Sequence, residues 1–585
     1  MSPSTRWLLP PADPVAAAAA KTLMRELDLP AFVASLLAQR GLHTATAAHD
    51  FLHPKLGLLA DPFKLPNMPA AIDRILRALT AGERIVLYGD YDVDGVTSLT
   101  ILSGLLRAYG ASVECFLPMR VEEGYGLSTE GVARCVQTLR PQLLITVDCG
   151  TASVREISGL QAGGVDVIVL DHHEPQSPLP ACVALVNAKL GKTYHYLCTA
   201  GLVFKVCHAL LKRRPLPGYD LKESLDLVAL GTVADLVPLV EENRIFVRRG
   251  TQQLALSRRP GVRALMDVAA VKAPVRPVHI GFRLGPRLNA AGRLGTAQAA
   301  LELLSTDDEA RAQELAALLD EQNRERQTVE QHTLLAAQAQ VTTLCGDDGA
   351  HPHAAIVVGA RGWHPGVLGI VASRLMRSHH RPTLVIGFDE NGVGKGSGRS
   401  IEGLSLVGAL EECAGWLDKF GGHEMAAGLT VREASFADFQ RDFCRVARSL
   451  LSDEQLLPSL RLDAEVTLPE LDADFLSCHE SLQPFGMGNA QPTFLARGVV
   501  PAAEPRVLKE KHLSFSLRHR TASREGKYAP STRAIFFGGA QGDLPTPPWD
   551  VAFQIEANEY RGVTELQVQV QALRTAQPAD THAKS

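Results

Sequence analysis

Several features that would assign a protein class at once are missing from this sequence. No stretch reaches 18 consecutive uncharged apolar residues, the length that a transmembrane helix requires. The N-terminus lacks a basic segment followed by an apolar run, so we expect no signal peptide and a cytoplasmic protein. The ten cysteines include no C-x-x-C pair, which argues against a structural zinc site and favours reduced, buried thiols.

A strong overall charge is missing too. A net charge of −5 does not by itself indicate a nucleic-acid-binding protein. The distribution is more informative, because residues 244–293 contain eleven Arg or Lys and one acid, and residues 506–533 contain eight against two. Two basic zones in an acidic chain favour a track for a polyanion, with ordinary solvated surface as the alternative for either zone alone.

The pattern from residue 83 onward is that of an α/β protein. Apolar strands predicted at 85–88, 113–117, 143–147 and 165–170 alternate with helices, which indicates a parallel sheet covered on both faces. A helix is predicted over 306–345, with Thr306 and Glu309 as its capping box. If it is helical throughout, it would span about 60 Å at 1.5 Å per residue. That length is large for one domain, so we interpret this helix as a spacer between two domains.

The remaining chain predicts two further domains. A strand at 354–358, a helix at 365–376 and a strand at 383–387 form a second α/β unit. Beyond residue 458, five predicted strands with basic loops favour a small barrel such as an OB-fold. We expect its basic residues to bind a strand by charge, beside a stacking Phe515; they are Arg506, Lys509, Lys511, Arg518 and Arg520.

Asp90, Asp92 and Asp94 alternate directly after the first predicted strand, in Asp-Tyr-Asp-Val-Asp-Gly. Three carboxylates at this spacing repel one another unless a cation lies between them. An EF-hand loop opens in the same way, but it requires Glu at its twelfth position, where this chain has Ile101. It also requires a preceding helix, so we interpret the segment as a metal site of another kind.

Further candidate ligands follow two more predicted strands. Asp148 follows one of them, and Asp171, His172 and His173 follow the next. An acidic residue after a strand is often only a helix N-cap, but three such strand ends favour a site at the carboxyl edge of the sheet. Asp235 lies in an apolar stretch and would need a partner if it is buried.

Carboxylates with one or two imidazoles suit Mn²⁺ or Mg²⁺, and the imidazole favours Mn²⁺. Five or six ligands exceed the need of one ion that also holds water and substrate. We therefore predict two ions about 4 Å apart with a bridging carboxylate, which would activate water and neutralise a phosphoryl group. The predicted metal ligands are Asp90, Asp92, Asp94, Asp148, His172 and Asp235.

In this order, the motifs resemble the DHH phosphoesterase superfamily. The matching segments are 90–95, 147–150, 171–173 and 234–239. Further segments resemble the RecJ branch of that superfamily and its DHHA1 domain; they are 285–293, 362–374, 396–400, 421–423 and 484–489. Ala188 and Ala490 stand where the pattern has prolines, and both changes fall in turns.

The resemblance implies a two-metal 5′-to-3′ exonuclease that degrades single-stranded DNA to mononucleotides in DNA repair and recombination. It implies that Asp92 and Asp148 hold one ion with Asp90 nearby. Asp171 is implied to orient His172, and His173 to face the scissile phosphate. The ligands implied for the second ion are Asp94, Asp148, His172 and Asp235.

The resemblance also implies a set of substrate-binding residues: Arg287, Asn289, Arg293, Trp363, His364, Ser397, Arg399, Gly421, Gly422 and His423. Arg399 has the geometry to bind a phosphate through two hydrogen bonds. The glycine-rich segment 392–399 would let an anion approach its backbone N–H groups, with a flexible hairpin as the alternative. Trp363 and His364 would stack on a base, unless Trp363 is buried.

The predicted fold is α/β, with a parallel-sheet DHH domain joined by a long helix to an α/β DHHA1 domain, followed by an OB-fold barrel. The predicted segments are N-terminal helical 1–70, catalytic 71–304, connecting helix 305–345, DHHA1 346–457, OB-fold 458–575 and a disordered tail 576–585. Partners would be single-stranded DNA, a single-strand-binding protein and a helicase; we expect a monomer that does not contact membranes.

Other functions fit part of the pattern. A DHH-family oligoribonuclease or small-phosphate phosphatase would lack the domain at 460–575. A non-enzymatic DHH-fold replication factor would have lost ligands, and this chain has every candidate ligand. A metal-dependent pyrophosphatase would not need the basic stretch 244–293.

Overall fold

A computed structural model describes residues 5–119, 126–294, 296–344, 353–519, 531–560 and 563–576. Its contacts divide the chain into two compact units, one of which consists mainly of Leu59–Pro458. The other combines Arg6–Leu58 with Ser459–Ser585. No helix within the described ranges combines the length and the apolar character needed to cross a membrane.

The N-terminal segment contains the helices that its sequence predicts. The elements are β1 (Arg6–Leu8), α1 (Pro14–Leu27), α2 (Ala31–Gln39) and α3 (Ala45–Leu52). The carboxylate of Asp13 accepts from Val15 N at 2.8 Å and caps α1. Thr44 caps α3 in the same way through Ala47 N.

A five-stranded, fully parallel sheet begins the first unit and confirms the predicted strand–helix alternation. Its elements are α4 (Met68–Ala81), β2 (Ile85–Gly89), α5 (Val93–Ala108), β3 (Val113–Phe116), α6 (Thr129–Leu139), β4 (Leu143–Val147), α7 (Val154–Ala162), β5 (Asp166–Asp171) and β6 (Ala184–Asn187). The strand order is β3-β2-β4-β5-β6. Every residue of β2 and β4 is buried, as expected for strands covered on both faces.

Helices follow the sheet. They are α8 (Thr199–Arg213), α9 (Leu225–Ala234), α10 (Glu241–Ala255), α11 (Pro260–Val268), α12 (Pro277–His279), α13 (Gly285–Leu294), α14 (Gln298–Ser305) and α15 (Glu309–Leu344). A π-helical turn, Ile280–Leu284, joins α12 to α13. The long helix α15 has 36 residues and spans about 54 Å, and it covers most of the predicted range 306–345. Its predicted capping box is wrong, because Asp308 caps it by accepting from Ala310 N and Arg311 N.

A buried ion pair joins α8 to α10. Lys205 Nζ donates to both carboxylate oxygens of Glu242, at 2.9 and 2.7 Å, and to Ala60 O at 2.7 Å. The side chains of Lys205 and Glu242 are 0% and 6% exposed. Loss of either partner would therefore leave a buried charge without compensation.

We expect Lys205→Met to lower the free energy of unfolding by about 3–5 kcal/mol. The matched control is Lys212→Met, because Lys212 pairs with Asp61 at 3.2 Å with both side chains exposed, and such pairs contribute only about 0–1 kcal/mol. Urea denaturation of the two variants measures the difference. Equal losses would mean that the Lys205 pair contributes no more than a surface ion pair.

The second sheet of this unit is mixed. Its elements are β7 (Ile356–Arg361), α16 (Pro365–His379), β8 (Thr383–Phe388), β9 (Val393–Arg399), α17 (Leu406–Glu412), β10 (Leu417–Gly422), β11 (Ala426–Arg432) and α18 (Phe436–Leu450). The order is β10-β11-β9-β8-β7, and only β7 and β8 pair in parallel. The sequence predicted β7, α16 and β8 but not the antiparallel strands.

The second unit contains the predicted barrel. Its elements are β12 (Ser459–Arg461), β13 (Ala464–Glu465), α19 (Ala473–Ser481), β14 (Phe494–Pro501), β15 (Arg506–Leu508), β16 (His512–His519), β17 (Thr532–Phe536), β18 (Trp549–Tyr560) and β19 (Val563–Thr575). Strands β14, β18, β19, β17 and β16 pair in that order, and β14 pairs with β16 to close the barrel. These are the five strands that the sequence predicted.

The N-terminal helices and the barrel share one apolar core. Phe32 of α2 stacks on Phe475 of α19 with ring centroids 4.0 Å apart, and it meets Phe494 of β14 edge-on. Strand β1 pairs with β12 in parallel. Residues 6–58 therefore belong structurally with the barrel, a grouping that the sequence did not predict. The predicted tail from residue 576 lies almost entirely outside the described residues.

Candidate metal centre

The first candidate ligands lie where β2 passes into α5. Asp92 is the N-cap of α5 and accepts from Asp94 N at 2.9 Å and Gly95 N at 3.1 Å. Asp90 and Asp94 are buried, each 1% exposed. A Cβ added at Gly95 would lie 2.4 Å from Asp90 O, so only glycine fits this close turn. The turn therefore fixes three carboxylates at the carboxyl edge of the sheet.

Asp148 follows β4 in the left-handed region, at φ 66°, a conformation that costs a non-glycine residue free energy. Its backbone N–H donates to Leu170 O at 2.9 Å, and its carboxylate accepts from Thr199 Oγ1 at 2.8 Å. Asp94 also depends on the start of α8, because it accepts from Thr199 N and Ala200 N. The amino end of α8 thus positions two carboxylates.

His172 lies at the middle of the cluster. Its Nε2 is 3.4 Å from Asp148 Oδ1, 3.4 Å from Asp235 Oδ2 and 3.9 Å from Asp94 Oδ2. Both His172 Nε2 and Asp235 Oδ2 are buried, and neither has a hydrogen-bond partner among the described residues. Because unsatisfied buried polar atoms are rare, their convergence indicates a ligand between them.

The structure gives Asp171 a different partner from the one that the resemblance implied. Its carboxylate accepts from the ring Nδ1 of His173 at 2.8 Å and from the backbone N–H groups of His172 and Thr151. The Asp171 carboxylate therefore orients the ring of His173, and it touches His172 only at the backbone. The His173 side chain is 39% exposed, so its ring remains accessible to a substrate.

Burial and like charges dominate the electrostatics. Burial and the neighbouring aspartates raise the pKa values of Asp94, Asp148 and Asp235. Burial, together with His173, lowers the pKa of His172 to about 3, so its imidazole is neutral and able to bind a cation. Removal of these carboxylates from water is unfavourable without a positive partner.

The donor set fits divalent cations. In the part of the chain that the structure describes, three groups have ligand atoms within 4.8 Å of one another; they are Asp90–Asp92–Asp148, Asp94–His172–Asp235 and Asp148–His172–His173. Carboxylate oxygens with one or two imidazoles are the ligands expected for Mn²⁺ or Mg²⁺. Asp148 belongs to two of the groups, which is the arrangement that a bridging carboxylate requires.

Two neighbours of the cluster were missed from the sequence. Thr199 contacts both Asp94 and Asp148, and Asn187 at the end of β6 donates to Thr151 Oγ1 and His173 O. Gly231 of α9 was missed as well, and a Cβ there would lie 2.8 Å from Asp94 Oδ1. These contacts join residues far apart in the chain, and no local pattern marks them.

The three predicted substrate-binding residues of α13 have different surroundings. Arg287 pairs with Asp320 of α15 at 2.9 Å, so it joins two helices. Arg293 donates to Gly366 O at the start of α16, and Asn289 is half-buried. A Cβ at Gly292 would lie 3.0 Å from Tyr91 O, which places α13 beside the turn that carries Asp90, Asp92 and Asp94.

Much of the basic stretch 244–293 is likewise engaged within the protein. Arg244 is buried, Arg259 pairs with Asp226, and Arg263 pairs with Glu309. Fewer basic residues of this stretch are therefore available to bind a polyanion than the sequence indicated.

The side chain of Trp363 is not available for base stacking. It is 9% exposed and packs in an apolar core with Leu368 and Val371 of α16. His364 caps α16, because its Nδ1 accepts from Gly366 N at 3.1 Å. Pro365 begins the helix as predicted.

The glycine-rich segment is strand β9, and its backbone pairs with β8 on one side and β11 on the other. The prediction that its N–H groups face an anion is therefore wrong. The glycines of β9 leave room for large side chains of β8. A Cβ at Gly394 would lie 2.5 Å from Phe388, and a Cβ at Gly398 would lie 2.5 Å from Leu384.

The side chains of β9 agree better with the prediction. Arg399 donates to Gly398 O and lies near Ser397 Oγ, and both side chains face Gly369 of α16. Burial lowers the pKa of Arg399, and no carboxylate contacts it among the described residues.

Gly421 and Gly422 end β10 at the turn to β11, His423 follows them, and all three residues are exposed. Gly422 has φ +147°, and a Cβ there would lie 2.4 Å from Ala426 O, so the turn requires glycine. Ala426 pairs with Arg399 across β11 and β9, which brings this turn to the strand end that carries Arg399.

The predicted stacking residue of the barrel, Phe515, does not lie on its surface. Phe515 is 7% exposed and packs edge-on against Trp549, so it is not free to stack on a base. Phe537 is 51% exposed and lies beside His512, next to the hairpin formed by β15 and β16. Arg520 lies outside the described residues.

Comparison with known proteins identifies the class first. Family models match the DHH family, N-terminal domain, at 84–232, the DHHA1 domain at 353–451 and the RecJ OB domain at 462–572. These matches correspond to the parallel sheet with its metal cluster, the mixed sheet and the barrel, which together define a DHH-type phosphoesterase with an added OB-fold.

The curated relatives then identify the family. The single-stranded-DNA-specific exonuclease RecJ of Dickeya dadantii is 34% identical over 93% of this chain and 96% of its own length. RecJ of Bacillus subtilis is 38% identical over 86% of this chain, which spans 63% of that relative. A crystal structure of Thermus thermophilus RecJ with Mn²⁺ has a TM-score of 0.83 at 33% identity and covers 98% of this chain and 80% of its own. The chain belongs to the RecJ family of single-stranded-DNA-specific exonucleases.

Proposed function

We propose that this protein is a metal-dependent exonuclease that degrades single-stranded DNA from the 5′ end to mononucleotides, in DNA repair and recombination. The observation that carries the proposal is the convergence of His172 Nε2 and Asp235 Oδ2, both without hydrogen-bond partners, on a cluster of buried carboxylates. Membership of the RecJ family supports the substrate. Its cytoplasmic location, monomeric state and contacts with a single-strand-binding protein and a helicase belong to the same proposal.

The proposed roles of the cluster follow from its contacts. Asp90, Asp92 and Asp148 would hold one divalent ion, and the second would be held by Asp94, Asp148, His172 and Asp235. Bound Mn²⁺ or Mg²⁺ would supply an activated water and neutralise charge on the scissile phosphate. Thr199 and the start of α8 keep the carboxylates in place.

His173 is proposed to contact the scissile phosphate. Burial acts to lower the pKa of His173, but its hydrogen bond to Asp171 and the charge of that carboxylate raise it above the ordinary value. The ring is therefore more readily protonated than an ordinary histidine, and a cationic ring donates strongly to a phosphate oxygen.

Degradation of single strands labelled at either end tests the proposal. With Mn²⁺ present, we expect a 5′ label to appear at once in mononucleotides, while a 3′ label remains on progressively shorter strands. Duplex DNA of the same sequence, without single-stranded ends, is the control and should persist. Early release of the 3′ label would reverse the polarity, and a preference for short oligoribonucleotides would favour the alternative DHH activity.

We further propose a pocket for the 5′-phosphate between β9 and the start of α16. Arg399 offers a partly buried cation without a carboxylate partner, and Ser397 offers a hydroxyl beside it. The amino end of α16 attracts an anion, and Arg293 reaches the same helix turn through Gly366.

We expect Arg399→Ala to weaken the preference for a 5′-phosphorylated end over a 5′-hydroxyl by about 1.5–3 kcal/mol. The matched control is Lys395→Ala, because Lys395 is an exposed cation on the same strand. Competition between phosphorylated and hydroxyl strands measures the preference. An unchanged preference would mean that the 5′-phosphate pocket lies near Arg293 and not at Arg399. Arg287 is a weaker candidate, because it already pairs with Asp320.

A further inference from the structure

The end of α9 carries large apolar side chains that face solvent. Leu236, the second residue after α9, is 73% exposed, and Phe282 of the π-helical turn is 75% exposed. Val278 of α12 is also exposed, and Val233 and Ala234 at the end of α9 are half-buried. An apolar patch of this kind, bordered by polar residues, marks a site of interaction.

This patch adjoins the metal centre. Leu236 directly follows Asp235, whose Oδ2 lies 3.4 Å from His172 Nε2. The π-helical turn packs on the end of α9, because a Cβ at Gly281 would lie 4.0 Å from Val233 and one at Gly285 would lie 3.6 Å from Ala234. A substrate at the metal centre would therefore lie close to Phe282 and Leu236.

The helix that carries Phe282 also leads to the proposed 5′-phosphate pocket. Asn289 and Arg293 follow Phe282 by seven and eleven residues along one helical segment, which begins as the π-helical turn Ile280–Leu284 and continues as α13. At 1.5 Å per residue, Phe282 lies about 16 Å along the helix from Arg293. A strand that begins at the pocket and runs along this helical segment would reach Phe282 within its first few nucleotides.

The charge around the patch is complementary to such a strand. Lys272 and Arg283 are exposed cations on either side of α12, and the stretch 244–293 contains a single acid. Arg283 donates to Ala270 O at 3.0 Å, which keeps its side chain on the α11 side of the helix. An aromatic face flanked by cations is the combination that binds unpaired bases together with their phosphates.

We propose that Phe282, with Leu236 beside it, is the platform on which a base of the bound strand stacks close to the scissile phosphate. The proposal rests on the proposed function, and it identifies a residue that contributes to the selection of single strands. Bases in a duplex are already stacked on their neighbours, so only an unpaired strand can offer a base to Phe282.

The test uses Phe282→Ala and Phe282→Tyr in the full chain. Leu256→Ala is the matched control, because Leu256 is also 75% exposed but follows α10. Binding is measured with 5′-phosphorylated oligonucleotides in which a single abasic site is moved one position at a time from the 5′ end. Steady-state degradation of unmodified strands is measured in parallel, and kcat and KM are determined separately.

We expect one abasic position to weaken binding by the wild type roughly fivefold to 150-fold, the range of one stacked base. Phe282→Ala should bind unmodified strands more weakly by a similar factor, mainly through KM, and should be insensitive to that abasic position. Phe282→Tyr should behave like the wild type, as should Leu256→Ala.

The inference fails if Phe282→Ala keeps the abasic profile and KM of the wild type, and the patch would then fit a protein partner better. Failure of the proposed function has a different result, since the wild type itself would not degrade single-stranded DNA. The two failures are therefore distinguishable in one set of measurements.

Discussion

Asp148→Asn should reduce the hydrolysis of single-stranded DNA at least about 100-fold, because each 1.36 kcal/mol of lost transition-state stabilisation is tenfold in rate and this carboxylate serves two ligand groups. Binding of the strand should remain largely intact, since the proposed phosphate and base contacts lie on other elements. Retention of more than a tenth of the wild-type rate in Mn²⁺ would exclude a bridging role for Asp148.

Thermal unfolding gives a second measurement for the same variant. Burial and neighbouring carboxylates raise the pKa of Asp148 in the folded state. A carboxylate with a raised folded pKa destabilises the fold at pH values above its unfolded pKa. Metal-free Asp148→Asn should therefore unfold at a higher temperature than the metal-free wild type.

Addition of Mn²⁺ should reverse that order. A ligand at a hundred times its Kd stabilises the folded state by about 2.7 kcal/mol, and the variant should lose most of this gain. Asp73→Asn is the matched control, because Asp73 is exposed on α4 and should leave both unfolding temperatures unchanged. An equal Mn²⁺ effect on wild type and Asp148→Asn would place the ion elsewhere.

The metal cluster was predictable because of one simple geometric rule. Parallel strands end at one edge of a sheet, so Asp90, Asp148 and His172, each following a strand, had to converge. Asp235 was a weaker candidate ligand from the sequence alone, because it follows a helix and not a strand. The resemblance implied that Asp171 orients His172, whereas in the structure its carboxylate orients the ring of His173. The sequence alone does not show which of two adjacent rings a carboxylate contacts.

Other features depend on contacts between distant residues. The sequence did not predict strand β9, because glycine is unfavourable in strands, yet a side chain at Gly394 or Gly398 would collide with Phe388 or Leu384. Hydrophobic periodicity shows that the N-terminal helices have an apolar face, but it does not show which partner covers that face. The shared core of Phe32 and Phe475 had no sequence signal.

That shared core changes the design of the truncation that separates catalysis from strand binding. Removal of the barrel alone would expose the apolar side chains of α1–α3 that pack on it. We therefore compare the full chain with residues 59–458, which keep every proposed metal ligand and Arg399.

We expect residues 59–458 to remain an active nuclease that binds long single strands more weakly and degrades them with less processivity. The barrel presents Arg506, Lys509 and Lys511 near an exposed Phe537, and each stacked base contributes about 1–3 kcal/mol. Each phosphate contact that is lost should also reduce the slope of log K against log salt by about 0.7. The truncated protein should therefore show both a lower affinity and a shallower salt dependence.

Binding of a long oligonucleotide is measured between low and moderate salt, with Asp148→Asn in both forms to prevent degradation. The full chain with Arg506, Lys509 and Lys511 all changed to Ala is measured alongside, so that the result does not depend on the folding of a truncated protein. In that variant the slope should fall by up to about 2 if all three residues contact phosphates. Equal affinities and slopes in all three proteins would mean that the barrel does not take part in strand binding, because neither its charges nor its exposed aromatic residue would then contribute to affinity.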